Sequence, residues 1–147
     1  MEKKINVAIY SGKIPASNFI ENLIKLVEDE NINIYLFGKG NYGSYKNSNI
    51  KIFHTPQGKL NIICFVIFQL LRLFIFYPKK LYKLVKNYKI FPKTGSIFKY
   101  LGKILPVINN TPDIFHIQWA KSLPFWFFLK EIYGVKIVLS LRGSHIN

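Results

Sequence analysis

Five short apolar runs constrain the fold of this chain more than any other feature of its sequence. They cover residues 5–10, 32–37, 50–54, 113–118 and 136–141. The runs are rich in Ile and Val and do not alternate cleanly with polar residues, which is typical of strands in a parallel sheet that is covered on both faces. Helical patterns lie between several of them; one has the i, i+3, i+4, i+7 spacing and consists of Ile20, Leu23, Ile24 and Val27. The sequence therefore predicts an α/β fold with a doubly wound, Rossmann-like parallel sheet.

A second helix is predicted after the fourth run. Ser122 and Pro124 are typical of a helix start, and Gly134 is typical of a helix end. The chain stops directly after the fifth run, where a doubly wound fold needs another helix to cover the sheet. We therefore expect residues 1–147 to be part of a domain that continues beyond them.

The composition excludes several classes of protein. Half of the 147 residues are apolar, which suits one folded domain rather than a disordered chain. The one cysteine, Cys64, excludes an internal disulfide and a cysteine-rich zinc site. No spacing typical of metal ligands is found, so we expect no metal. The apolar run near the start is too short for a secretory signal, and we expect a cytoplasmic protein.

The formal net charge is +14, and nearly all of it comes from one stretch. Residues 31–112 contain 13 Lys and Arg and no Asp or Glu. A one-sided positive field attracts a polyanion, either an anionic lipid surface or nucleic acid. A lysine-rich composition can also reflect an AT-rich genome without selection for charge. Because no nucleic-acid-binding motif occurs, we expect a membrane partner and no nucleic acid.

The most apolar segment lies within this basic stretch. Residues 60–77 contain only three polar side chains, Asn61, Gln69 and Arg72. Two interpretations stay open, a helix buried against the sheet and a helix partly embedded in a bilayer interface. The next segment favours the second, because a predicted helix follows with an apolar stripe and lysines mostly outside it. The stripe is Leu81, Leu84, Val85 and Tyr88, and the predicted membrane-surface lysines are Lys79, Lys80, Lys83 and Lys86.

A glycine-rich motif follows the second predicted strand. Residues 38–43 read GKGNYG and match G-x-G-x-x-G, the turn that places a pyrophosphate on a helix N-terminus. No helical pattern follows directly, and no acidic residue lies about 20 positions on to bind a ribose. We therefore interpret the motif as a plain, turn-rich loop.

The candidate site residues follow three of the predicted strands. In an open α/β sheet, ligands bind beyond the carboxyl ends of the strands, where the strand order reverses. If the strand order is 3-2-1-4-5, three clusters converge there: Ser11, Gly12 and Lys13; His116, Gln118 and Trp119; and Arg142, Gly143, Ser144 and His145. A strand histidine or an edge tryptophan is more often a packing residue, so position rather than residue type supports this site. No catalytic triad, P-loop or carboxylate pair is found.

Residues 112–147 resemble the fourth and fifth βα units in the N-terminal domain of family-4 glycosyltransferases. The resemblance rests on PDIFHIQW, similar to the P-D-[IV]-[IV]-H-[IV]-H strand end, and on Arg142-Gly143-Ser144, similar to an R-G-S-D loop. The opening NVAIYSGKIPASNFIENLIKLV is similar to the first strand, glycine loop and helix of that family. Here Gln118 replaces the second histidine, His145 replaces the aspartate, and the usual double glycine is reduced to Gly12.

The resemblance implies a GT-B fold and a retaining, nucleotide-sugar-dependent transferase. Residues 1–147 would then be part of its acceptor-side domain, without the nucleotide-sugar domain, and inactive alone. It implies no cofactor, a nucleotide sugar as co-substrate, and a glycan or lipid-linked acceptor of cell-envelope polysaccharide or lipopolysaccharide synthesis. His116 and Gln118 are the predicted catalytic residues and would orient the acceptor, while Lys13, Arg142 and the amides of Gly12 and Gly143 would stabilise the departing diphosphate.

The resemblance and the basic helix together predict a protein at the inner face of the plasma membrane. The alternative is a non-catalytic basic α/β module that docks on an anionic membrane surface.

Overall fold

The computed structural model describes residues 4–14, 18–27, 31–40, 48–90 and 95–140. The chain divides into two compact units. The sheet unit comprises Met1–His54 and Pro112–Asn147, and the helical unit comprises Thr55–Thr111. The strands are β1 (Ile5–Ile14), β2 (Ile32–Gly40), β3 (Ile50–Thr55), β4 (Ile114–Ile117) and β5 (Lys136–Leu139). The helices are α1 (Asn18–Val27), α2 (Lys59–Phe76), α3 (Pro78–Lys86), α4 (Ile97–Asn109), α5 (Leu123–Trp126) and α6 (Phe128–Tyr133), with 3-10 turns at Tyr88–Ile90 and Ala120–Ser122.

The five strands form one mostly parallel sheet in the order β3-β2-β1-β4-β5. β1 pairs in parallel with β2 on one side and with β4 on the other, and β4 pairs in parallel with β5. The α/β, Rossmann-like fold predicted from the sequence is therefore confirmed, and the strand order is the one on which the predicted site depends. The order reverses between β1 and β4, which makes the carboxyl ends of these two strands the switch point of the sheet.

Helices of the sheet unit cover both faces of the sheet, as a doubly wound fold requires. On one face, Ile20 and Ile24 of α1 are buried against Ile9, Ile34 and Leu36. On the other face, the rings of Tyr10 and Phe115 pack on Trp126 of α5, with centroids 5.1 Å and 4.8 Å away. Successive side chains of a strand point to opposite faces, so Ile9 packs on the α1 side of the sheet and Tyr10 on the α5 side.

Hydrogen bonds through Asn6 and Asp113 link the amino ends of several strands. The backbone N–H of Asn6 donates to Oδ2 of Asp113 at 2.9 Å, and the side-chain amide of Asn6 donates to the same oxygen at 3.2 Å. Asn33 of β2 donates to the Asn6 side chain, and the backbone N–H of Lys136 donates to the Asp113 carbonyl. Asp113 therefore stabilises the sheet at the end opposite the switch point.

β1 and β2 continue past the ends predicted from the sequence. Their register shifts between Tyr10 and Gly12, and pairing then resumes through Lys13↔Lys39 and Ile14↔Gly40. This is the pattern of a β-bulge, and the Ser11 hydroxyl donates to the Lys13 carbonyl beside it. The prediction that Ser11, Gly12 and Lys13 form a loop is therefore wrong, because they lie in β1.

The first two glycines of the G-x-G-x-x-G match lie in β2 rather than in a turn. Gly40 has φ 125, and a Cβ there would overlap the Ile14 carbonyl oxygen. A Cβ on Gly38 would lie 2.9 Å from the Ile14 side chain. These glycines permit the close approach of two strands, so the predicted loop is wrong for residues 38–40, and residues 41–43 lie outside the described part of the chain.

The predicted helix over 122–134 forms as two short helices, α5 and α6, which meet at Phe127. Pro124 lies in the first turn of α5, as predicted, but Ser122 makes no capping hydrogen bond through its side chain. Gly134 ends α6 in the left-handed conformation with φ 72, and the N–H of Val135 donates to the Leu129 carbonyl at 3.1 Å. This is the helix-ending pattern that favours glycine.

The helical unit is built on the pairing of α2 with α4. Gly102 of α4 lies close to Ile62 and Val66 of α2, and the Thr55 hydroxyl donates to the Gly102 carbonyl at 3.3 Å. Asn109 of α4 donates to the backbone and side-chain oxygens of Gln69. These polar groups are buried, and their pairing holds the two helices in one register.

α2 is apolar on nearly all sides, yet only one stripe of it is buried. Among its 18 residues, the buried ones are Val66, Gln69 and Leu73. Within the described residues it is also the one helix long and apolar enough to cross a bilayer, by length and composition only, and 17 % of it is buried. Most of α2 is therefore exposed, so the interpretation of this segment as a helix buried against the sheet is wrong.

Candidate functional site

A small cavity lies at the switch point of the sheet. Its volume is about 120 Å³. Tyr10 and Ser11 of β1 line one side, Phe115, Ile117, Gln118 and Trp119 line the other, and Ser122 and Trp126 complete the wall. The lining thus joins the carboxyl ends of β1 and β4 with the helical turns that follow β4. This is the position in an open α/β sheet where ligands bind.

Gln118 contributes a buried polar atom that the protein leaves unsatisfied. Its side chain is only 2 % exposed, and its Oε1 has no hydrogen-bond partner among the described residues. Leaving a buried oxygen unpaired costs about 1–3 kcal/mol. A ligand hydroxyl or N–H that enters the cavity would supply the missing donor.

His116 is held between two neighbours. The amide nitrogen of Gln118 lies 3.0 Å from Nδ1 of His116, and Nε2 lies 2.8 Å from Oγ of Ser140. An amide nitrogen can only donate, so Nδ1 is the acceptor and Nε2–H donates to Ser140. Burial lowers the pKa of His116, which favours this neutral form. His116 thereby orients Gln118, and both of its ring nitrogens are occupied within the protein.

Aromatic side chains form the apolar part of the cavity. Trp126 is 2 % exposed and lies at the centre of a cluster that includes Tyr10, Phe115, Phe125 and Phe128. Trp119 is 47 % exposed and lies at the rim. Burial raises the pKa of Tyr10 above its ordinary value of 10.0. Its phenol is protonated at neutral pH, as that of any tyrosine is, and can donate a hydrogen bond.

The structure brings together residues of two of the three predicted clusters. Ser11 lines the cavity with Gln118 and Trp119. Lys13 is exposed in β1 beside Lys39, and Gly12 lies in the same strand. The third cluster, Arg142, Gly143, Ser144 and His145, lies outside the described residues.

Sequence reasoning missed Tyr10, Ser122, Trp126 and Ser140 as parts of this site. Tyr10 directly precedes Ser11, and Ser140 lies near the end of the fifth apolar run, so position on the strands could have identified both. Trp126 and Ser122 could not be found in this way, because their place depends on how α5 packs on the sheet. Within the described residues, no group of three or more His, Cys, Asp and Glu lies together.

The size of the cavity limits what it can hold. Ligand pockets usually measure about 300–1,000 Å³, so a cavity of about 120 Å³ accepts part of a ligand rather than a whole nucleotide sugar. Aromatic faces with one buried amide oxygen and nearby hydroxyls suit a small polyhydroxylated group. The apolar C–H side of such a group packs on the rings, and its hydroxyls donate to Gln118.

No protein-family model, curated protein or solved structure matches this chain. The likeness to family-4 glycosyltransferases therefore rests on the residues quoted above.

Proposed function

We propose that this chain is the acceptor-side part of a retaining, nucleotide-sugar-dependent glycosyltransferase of GT-B architecture. Its main support is the position of the cavity, which joins the orphaned oxygen of Gln118 to an aromatic wall at the switch point of the sheet. A glycan or lipid-linked acceptor of cell-envelope polysaccharide synthesis would place one sugar there. The nucleotide-sugar domain that the proposal requires would be a further part of the protein.

Gln118, Trp119 and Ser11 bind and orient the acceptor in this proposal. Oε1 of Gln118 accepts a hydrogen bond from a sugar hydroxyl, and Trp119 packs on the ring. His116 holds the Gln118 amide in this orientation through Nδ1. Fixing the acceptor hydroxyl in one position lowers the entropic part of the barrier to transfer. Lys13 offers positive charge to the departing diphosphate, a role shared in the proposal with Arg142.

The first test is sugar binding by this chain. Methyl glycosides of glucose, galactose, mannose and N-acetylglucosamine are titrated while tryptophan fluorescence is recorded, since Trp119 and Trp126 both line the cavity. At least one glycoside is expected to change the emission in a saturable way. Dissociation constants of about 1 mM are expected, because a small cavity buries little ligand surface.

The same titration on Gln118→Ala tests the role of the orphaned oxygen. Loss of a hydrogen bond to a buried acceptor is expected to raise the dissociation constant about tenfold. Gln57→Ala is the matched control, because Gln57 is an exposed glutamine of the helical unit. Equal affinity of Gln118→Ala and the parent chain, or no saturable change with any glycoside, contradicts the proposal and favours the non-catalytic alternative.

A further inference from the structure

The outer side of α2 exposes a continuous apolar stripe. Its residues follow the i, i+4, i+7, i+8, i+11 spacing of one helix face: Leu60, Cys64, Ile67, Phe68, Leu71, Phe74 and Ile75. Phe68 is 63 % exposed and Phe74 is 67 % exposed. Soluble proteins rarely expose apolar patches of this kind unless the patch binds something. We call these residues the outer face of α2.

α3 follows directly and presents positive charge. Lys79, Lys83 and Lys86 are exposed at helical spacing, with Tyr82 and Val85 exposed beside them. This differs from the predicted stripe, because Leu84 is buried and Leu81 is half-buried. The exposed apolar residues of α3 are therefore Tyr82 and Val85, and Tyr88 follows in the 3-10 turn.

Lys80 differs from the other predicted lysines. It is half-buried, and its Nζ donates to the Ile108 carbonyl at 3.1 Å and lies 4.4 Å from the Tyr77 ring centroid. Burial lowers the pKa of Lys80, and the nearby Arg72 lowers it further. Lys80 thus joins α3 to α4, whereas Lys79, Lys83 and Lys86 face outwards.

Charge decides which partner suits this surface. The helical unit contains ten Lys and Arg and no Asp or Glu, so a second copy of the chain would meet it with like charge. Nucleic acid would satisfy the lysines but would leave Phe68, Leu71 and Phe74 in water. An anionic bilayer satisfies both parts, because its headgroups attract lysine and its acyl boundary accepts apolar side chains.

The inner side of α2 decides how the helix would lie. Val66, Gln69 and Leu73 are buried, Gln69 is bonded to Asn109, and Arg72 lies 3.5 Å from the Asn110 side chain. A spanning orientation would break these contacts and place Arg72 in hydrocarbon, which is costly. A helix lying in the plane of the interface keeps them.

We propose that the outer face of α2 and the outward lysines of α3 together dock this protein on an anionic lipid bilayer, with α2 lying in the plane of the interface. The surface belongs to the helical unit and shares no residue with the cavity at the switch point. Membrane docking is therefore independent of glycosyl transfer and can fail or hold without it.

Vesicle co-sedimentation of the whole chain tests the charge requirement. The chain is expected to pellet with phosphatidylcholine–phosphatidylglycerol vesicles and to stay in solution with phosphatidylcholine alone. Replacing Lys79, Lys83 and Lys86 by Glu is expected to weaken binding at least tenfold. The matched control replaces Lys25, Lys130 and Lys136 by Glu; these lysines are exposed in the sheet unit, and the charge change is the same. Equal loss in both variants, or equal binding to both vesicles, overturns the proposal.

Cys64 provides a second test, in which the labelled chain keeps its own sequence. It is the one cysteine of the chain and lies exposed on the outer face of α2. An environment-sensitive fluorophore on Cys64 is expected to shift to shorter wavelength with anionic vesicles and to be quenched by lipids labelled in the acyl chain. The same fluorophore in Cys64→Ser/Leu26→Cys is expected to show neither effect, since Leu26 lies in α1 and is 85 % exposed.

The other possible occupants give different results in these experiments. A fluorophore shift that depends on protein concentration without lipid indicates self-association and overturns the proposal. Salt-sensitive binding to duplex or single-stranded DNA that matches or exceeds vesicle binding overturns it as well. Quenching by acyl-chain labels at the bilayer centre, rather than near the headgroups, contradicts the in-plane orientation.

Discussion

Single residues at the carboxyl end of β4 decide what the cavity can bind. Gln118 has no group that titrates, and its amide can only donate or accept hydrogen bonds. His116 is the nearby titratable group, but both of its ring nitrogens are bonded within the sheet unit. Within the proposed function, Gln118 would contact the ligand and His116 would position Gln118, while a catalytic role for either stays a prediction.

The buried position of His116 predicts a pH dependence of stability. Burial lowers its pKa from the ordinary value of 6.5, so the folded chain keeps the neutral form while the unfolded chain takes up a proton as the pH falls through that value. The His116 contribution to the free energy of unfolding is present above about pH 6.5 and decreases at lower pH. Urea denaturation at about pH 7.5 and pH 5 measures this decrease. His116→Asn is expected to show a smaller decrease in the free energy of unfolding between these two pH values. A decrease equal to that of the parent chain would contradict the assignment of this pH dependence to His116.

At the scale of elements, the extended pairing of β1 and β2 brings Ser11 to the cavity. The bulge after Tyr10 turns the strand locally, and pairing then resumes as far as Ile14 and Gly40. Glycine at position 40 is required for two reasons, the positive φ and the contact that a Cβ would make with the Ile14 carbonyl. The end of β1 therefore depends on a glycine in its neighbour.

Gly40→Ala is expected to destabilise the protein more than Gly134→Ala. Both glycines have positive φ, but nothing lies within 4 Å of a Cβ built on Gly134. Gly134→Ala should cost about 1 kcal/mol for backbone strain alone. Gly40→Ala should cost about 3 kcal/mol, because an atomic overlap is added to the strain. Chemical denaturation of the two variants measures this difference in the free energy of unfolding. Equal losses of stability would contradict the prediction, because they would show that β1 and β2 move apart to admit the Cβ without a cost in free energy.

The whole molecule carries its charge very unevenly. The helical unit has ten basic side chains and no acidic ones, while the seven acidic residues all lie in the sheet unit. Like charges within one small unit repel one another and destabilise its folded form. An anionic partner would remove this repulsion, which is consistent with the docking surface proposed for α2 and α3.

Salt is expected to stabilise the isolated chain. From about 0.01 M to about 0.1 M NaCl the Debye length falls from about 30 Å to about 10 Å, which screens charges across the helical unit. The melting temperature should rise by about 2–4 °C, the shift that about 1 kcal/mol produces in a domain of this size. Replacing Lys79, Lys83 and Lys86 by Glu lowers the net charge from +14 to +8 and should reduce the rise. A melting temperature that falls with NaCl would contradict this account.

The sequence alone predicted all five strands and the end of α6. Strand-forming runs and helix-ending glycines are local signals. Ile5 and Ile9 indicate a strand, and Gly134 indicates a helix end, through the residues directly beside them. It also placed Gln118 and Trp119 at the switch point, because parallel strands share one carboxyl edge.

Only the tertiary structure decided which side of α2 is covered and where β1 ends. A helix that is apolar nearly all round has little hydrophobic periodicity, so its sequence cannot distinguish Leu73, which is buried, from Phe74, which is exposed. The pairing of Lys13 with Lys39 and the packing of Trp126 on Tyr10 join residues far apart in the chain. Such contacts depend on how whole elements pack, and local patterns do not contain that information.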